Sequence, residues 1–286
     1  MQKPVVITTD SSADLPPYVL EQYGIHIIRM YINVEGRTGR DGIEIQPMDI
    51  YNAFTERGAL PKTAAPSIVE YREFFEQFTK QGAAVVHIGL NHKFSSVIHV
   101  ATLAAQEAEG EVYVVDSYQF CVGMGIMAVK AAQWRDEGLP ASEIAAKAET
   151  ERAKVLSLYY MDNMKFLSKS GRCPRVVAMC ATLLDLHPLL SISGVTGEVV
   201  VGKKFRGKNA REDWLRHVTG KFNEQCDPSL SFFMHSPEIP PEVYEPMNRA
   251  AKSMMPDFAN MVQDGTGCSV ISHVGGGCYA MIAMMR

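Results

Sequence analysis

The feature that most constrains this chain is a repeated pairing near its start: a short β-branched apolar run, a polar hydroxyl-rich loop, then an amphipathic stretch closed by glycine. Val5–Thr9 ends in Asp10-Ser11-Ser12, and Ser12 or Asp14 is placed to cap the segment from Leu15 to Tyr23 ahead of Gly24. Ile25–Val34 reads as a second strand. Met48–Arg57 and Ser67–Gln81 have helical patterns stopped by Gly58 and Gly82. Ala83–Gly89 is again a buried strand, Phe94–Glu109 an Ala-rich helix with Ser95 or Ser96 near its start, and Val112–Val115 a further strand closed by Asp116-Ser117. Strands alternating with helices predict βαβ units and a parallel sheet. Ligands of such sheets gather at the polar loops beyond the carboxyl ends of the strands.

From about Met161 the order becomes irregular. Val199–Val201, Phe232–Met234, Ser269–Ser272 and Cys278–Ile282 read as short strands. Arg175–Leu184, Ala210–Glu224 and Glu242–Ser253 read as helices, and a helix over Ser142–Lys154 leads into the join. That mixture predicts an α+β second lobe with a mixed sheet. With no repeat and no low-complexity linker, the two lobes should be closely apposed.

A net charge of −4 gives no electrostatic reason to expect nucleic acid. The six cysteines include no C-x-x-C pair and no Cys/His grouping with zinc spacing. The opening MQKPVVITTDSS lacks the apolar core of a signal peptide, and the most apolar stretch, Met179–Ile192, is broken by Asp185, His187 and Pro188. The expectation is a soluble, cytoplasmic, thiol-reduced protein with no cofactor. The 16 methionines fit either gap-filling in the core or a soft wall around a flexible alkyl chain.

Two stretches imitate nucleotide motifs. Gly123–Ala128 matches G-x-G-x-x-A but is separated from the strand at Val115 and followed by helix, so it reads as a glycine pair for close helix packing. Gly197–Lys203 matches G-x-x-x-x-G-K, but Lys204 stands where a metal-binding Ser or Thr belongs, and the interior is strand-like. It reads as a hairpin. No G-x-S-x-G elbow occurs.

Four polar loops remain: Asp10-Ser11-Ser12, Thr63–Ser67, Phe94-Ser95-Ser96 and His273–Gly277. Singly, each is explained by caps, turns or a core histidine. Together they supply hydroxyls, one imidazole and backbone N–H groups around Gly275 and Gly276, a set that suits a carboxylate better than a polyphosphate.

TTDSSADLP at the start, TAAPS at Thr63–Ser67, Asp116-Ser117, FLSKSGR at Phe166–Arg172, LLDLHPLL at Leu183–Leu190, FRGKNA at Phe205–Ala210 and HVGGG at His273–Gly277 together resemble the DegV family, in order and along essentially the whole chain. The resemblance implies an α/β fold of two lobes. Residues 1–158 would form an α/β/α sandwich holding a long-chain fatty acid, and residues 159–286 an α+β lobe closing the site. It implies that the carboxylate meets Thr63, Ser95 and His273, with Ser11, Ser12, Gly275 and Gly276 in loops nearby. The family's S-G-T-Y is Ser95-Ser96-Val97-Ile98 here, which leaves Ser96 as an alternative to Ser95. Its T-S-Q-P-S is Thr63-Ala64-Ala65-Pro66-Ser67. The resemblance further implies that the protein is not itself an enzyme but presents its ligand to a separate fatty acid kinase for acyl-phosphate formation, docking through Arg172 and Arg206, with membrane contact only transient. Two rivals are an acyl esterase or transferase using Ser95 or Ser96 with His273, and a carrier of another amphiphile. In any lipid reading the tail dominates affinity: each buried CH₂ contributes about 0.8 kcal/mol, against roughly 1 kcal/mol for a head-group hydrogen bond.

Overall fold

The computed structural model describes residues 3–162, 164–173, 186–258 and 261–286. The expected helix over Arg175–Leu184, with Arg175 and Cys180, lies outside the described residues.

The chain opens with β1 (Val5–Asp10), a 3₁₀ turn at Ser11–Ala13, α1 (Pro17–Tyr23), β2 (Ile25–Ile28), β3 (Tyr31–Val34) and β4 (Arg37–Arg40). It continues through α2 (Pro47–Arg57), β5 (Lys62–Ala64), α3 (Ile68–Thr79), β6 (Ala84–Gly89) and α4 (Val97–Glu107). β7 (Glu111–Asp116), α5 (Val122–Asp136) and α6 (Ala141–Glu151) complete the first half. Then come β8 (Val155–Met161), α7 (Lys165–Ser170), β9 (Leu186–Ile192), β10 (Val199–Arg206) and α8 (Ala210–Gln225). β11 (Cys226–His235), α9 (Pro241–Met254), β12 (Met261–Gly265), α10 (Cys268–Val274) and β13 (Cys278–Met285) follow.

β2, β1, β6 and β7 form a parallel sheet in that order, as the β-α alternation requires. β6 is buried at every residue, the mark of a parallel strand covered on both faces. The second sheet runs β10-β9-β8-β13-β11-β12 and is antiparallel except for the parallel β11–β12 pair. One apolar core spans both sheets, from Ile7 and Val86 in the first to Tyr159, Met234 and Ala280 in the second. The two sheets therefore share one core.

Two expectations are corrected. Ile25–Val34 is not one strand: it breaks at Arg29-Met30, and β3 leaves the parallel sheet to join β4 and β5 in a small antiparallel sheet. Side chains hold the break, since the Met30 N–H donates to Ser11 Oγ at 3.0 Å and Arg29 Nη1 donates to the Asp41 carbonyl at 2.7 Å. Ser269–Ser272 is helix, not strand, because it lies within α10. A short apolar run does not reveal its own period, and the Asp41 side chain satisfies the first free N–H groups of this helix.

The imitation motifs behave as expected. Gly123 and Gly125 lie inside α5, where a Cβ on Gly125 would sit 2.8 Å from the Ala13 carbonyl and 2.7 Å from Leu15 Cδ2. The backbone of the Ser11–Ala13 turn thus rests directly on α5. Gly197 turns the β9–β10 hairpin in the left-handed region (φ 69°), and its carbonyl accepts from Asn91 Nδ2 at 2.8 Å, fastening the hairpin to the first lobe. Gly125→Val should therefore cost about 1–3 kcal/mol through overpacking. Urea unfolding measures this, and an unchanged midpoint would contradict the close packing.

Candidate functional site

Thr63 stands in the middle of β5, which pairs with β3 through Thr63↔Ile32. Its Oγ1 lies 3.0 Å from Nε2 of His273, near the end of α10. The small third sheet thus brings together two residues far apart in sequence. The His273 Nδ1 is buried without a partner, so the single proton of a neutral ring sits best on Nε2, donating to Thr63. That leaves the Thr63 hydroxyl proton free to point elsewhere.

Thr63 borders a slot. Thr63, Ser95, Ser12, Ser269, His273 and Arg172 line its polar end, together with Met30, Leu90 and Phe94. Phe120, Leu167, Cys173, Val270 and Val274 line both the polar and the apolar end, so the two spaces adjoin across one shared set of side chains. The apolar end runs between Tyr159, Met161, Leu190, Ile192 and Met234. Of the methionines, Met30, Met161 and Met234 line it, while Met124, Met127 and Met281 are buried core residues. Methionine thus serves both as core filler and as pocket wall.

The residues singled out from sequence separate here. Ser95 lines the slot, and its Oγ accepts from the Val97 N–H at 3.3 Å, leaving its proton available. Ser96 is exposed and does not line it. Ser12 is buried in the wall, whereas Ser11 turns away to bridge Met30 N and Asp41. The glycine loop departs from expectation. The Gly275 N–H donates to Ile271 O and the Gly277 N–H to Glu238 Oε1 at 2.6 Å, so these donors are already engaged. A Cβ on Gly276 would lie 2.5 Å from Glu238 Oε1 and 2.6 Å from Tyr51 Cε2. The glycines serve close packing on the far side, and only His273 and Val274 of that motif face the slot.

Arg172 follows the left-handed Gly171 that ends α7 and lies at the slot's polar end, close enough to act on His273. Arg206 ends the edge strand β10 and is exposed. Sequence reading missed Ser269, which it assigned to a strand, and Met30, hidden at the break between β2 and β3. Neither carries a motif signal.

Burial, reinforced by Arg172, pushes the His273 pKa down to about 4, so the ring is neutral near pH 7. Burial raises Asp10, behind Ser12, to about 6 and the Cys173 thiol to about 11. Among the described residues no cluster of His, Cys, Asp and Glu could hold a metal ion, and no helix is long and apolar enough to cross a membrane.

A parallel sheet followed by a mixed one, with hydroxyls, a neutral imidazole and one arginine gathered beside apolar space, defines the class as an α/β protein with a buried pocket. The family model for uncharacterised proteins of the DegV family matches residues 4–286, and the chain belongs to that family. A DegV domain-containing protein of Caldanaerobacter subterraneus is 30% identical over 74% of this chain and 75% of its own. A DegV family protein from Thermus thermophilus, whose structure is described by its fatty acid binding, superposes with a TM-score of 0.88 at 26% identity, covering 99% of this chain and all of that one. The Bacillus subtilis DegV structure has the same fold, with a TM-score of 0.85 at 23% identity over the full length of both chains.

The unfolded chain protonates histidine near the ordinary 6.5, whereas folded His273 resists to about 4. Between these values the unfolded state holds the extra proton, so His273 makes stability fall as pH is lowered. Asp10, raised to about 6, acts in the opposite sense over its own range. His273→Gln should flatten the loss relative to wild type by up to about 1.4 kcal/mol per pH unit. Urea unfolding at stepped pH measures this, and parallel curves would contradict the assignment.

Proposed function

We propose that this chain binds one long-chain fatty acid, with its carboxyl group beside Thr63, Ser95, His273 and Arg172 and its tail along the passage toward Met234. The carrying observation is the adjacency of two spaces: one with polar groups lies against an apolar one across shared apolar walls. The fatty acid binding described for the Thermus thermophilus relative supports the same ligand class. Chain burial at about 0.8 kcal/mol per CH₂ sets affinity, and the polar groups set direction.

An esterase is less well supported. A nucleophile–base pair needs Ser95 bonded to His273. Instead His273 Nε2 is engaged by Thr63, Ser95 Oγ accepts from Val97 N, and a pKa near 4 makes the imidazole a weak base. A binding role requires none of these to change.

The finer reading is that the bound acid is presented to a fatty acid kinase. Support comes from Arg172 at the polar end of the slot and from Arg206, exposed at the end of an edge strand beside Lys203, Lys204 and Lys208. Arginine forks suit an acidic partner face. Native mass spectrometry of the purified protein, followed by extraction, should reveal a bound fatty acid, and a protein that takes none up on titration refutes the proposal. Val270→Phe, which fills the waist of the slot, should weaken palmitate far more than Thr63→Val, whose loss is roughly fivefold. For the partner, Arg206→Glu should abolish phosphorylation of bound lipid by a cognate kinase without changing lipid affinity. Arg172→Glu should reduce both. Undiminished phosphorylation in Arg206→Glu removes the docking role.

A further inference from the structure

Hydroxyl protons in the slot are unequally free. Ser12 Oγ donates to the buried Asp10 carboxylate, which also holds the Ser12 N–H at 2.9 Å. Ser269 Oγ donates to Asp41 at 2.6 Å. Both serines are almost wholly buried, at 2% and 5% exposed, and both line the polar end. Since a hydroxyl has one proton and two lone pairs, these two oxygens can only accept from a ligand. Thr63, Ser95 and Arg172 supply donors in the same space. An ionised carboxylate accepts only, and it would leave Ser12 and Ser269 facing its oxygens without a proton between them.

We infer that the slot is built for a head group that donates a hydrogen bond as well as accepting them, with Ser12 and Ser269 as the acceptors. A fatty acid bound as the protonated acid meets this requirement, and so does one carrying a hydroxyl beside its carboxyl. The inference rests on the fatty acid reading and sharpens it.

The charges around the head group point the same way. Asp10 stands behind Ser12 and Asp41 behind Ser269, each one hydrogen bond from the slot, and both disfavour an anion there. The neutral His273 adds no positive charge, and the Cys173 thiol stays protonated. Among the described residues lining the polar end, Arg172 is the one cation that favours the ionised form, and it is exposed to solvent. Screening by water leaves it the weaker influence on a group beside two serines that are each backed by a buried carboxylate.

The test uses the whole protein and two sets of probes. Palmitate labelled with ¹³C at the carboxyl is titrated in the complex from near-neutral pH upward, and affinities are measured for palmitate, 2-hydroxypalmitate and 3-hydroxypalmitate. A bound carboxyl that titrates well above the ordinary value of about 4 supports the protonated acid. A carboxyl ionised throughout, with a hydroxy acid preferred roughly fivefold or more, supports the hydroxyl as donor. In Ser269→Ala, whose backbone N–H still reaches Asp41, the displaced titration or the hydroxy-acid preference should shrink. An ionised carboxyl with no hydroxy-acid preference overturns the inference while leaving fatty acid binding intact. Failure of palmitate to bind at all would overturn the underlying reading instead.

Discussion

The site depends on one buried carboxylate. Asp41 accepts from the N–H groups of Cys268 and Ser269, from Ser269 Oγ and from Ser11 Oγ. It thereby fixes the start of α10 to the turn after β1, and α10 carries His273 to Thr63. A carboxylate exposed only 3% is tolerable because its oxygens are so fully satisfied. Three segments far apart in sequence meet at this side chain, and the geometry of the polar end follows from it.

Around that fixed point the slot divides its labour. Its apolar length is walled by strands of the second sheet, by α10 and by the Phe120-Cys121 segment ahead of α5, where the core is left incompletely filled between Phe120, Tyr159 and Met234. Its polar end comes from loops at the carboxyl ends of β1 and β6, the place where open parallel sheets collect ligands, with α10 and β5 closing it from the side. Glycine does its work behind the site. Gly125 lets the Ser11–Ala13 turn rest on α5, and Gly276 lets Glu238 and Tyr51 pack against the loop after α10.

Much of this was legible in the residues. The β-branched runs at β1, β6 and β7 and the glycine-stopped helices between them defined the parallel sheet, because burial on both faces leaves no other use for such runs. Thr63 and His273 were legible as a pair only through the family resemblance. What remained hidden was tertiary in origin. Ser269 lies in a seven-residue helix whose cap comes from Asp41, far away in sequence, so no local signal marks it. The break at Met30 is made by Ser11 and Asp41, again non-local. The choice between Ser95 and Ser96 turns on which residue of a helix-opening turn faces inward, and adjacent serines cannot reveal that. The glycines of HVGGG suggested an anion-binding nest, but Glu238 occupies the Gly277 N–H, and the sequence around Glu238 gives no sign of it.

The proposed ligand is one acyl chain lying from Thr63, where its carboxyl group sits, toward Met234. A crystal structure of the protein with palmitate tests this placement most directly. The expected result is continuous ligand density from Thr63 and Ser95, past Val270 and Cys173, to the neighbourhood of Met234, with a carboxyl oxygen within hydrogen-bonding distance of Thr63 Oγ1. Density elsewhere on the protein, or a chain lying in the slot with its carboxyl at the Met234 end, would contradict it.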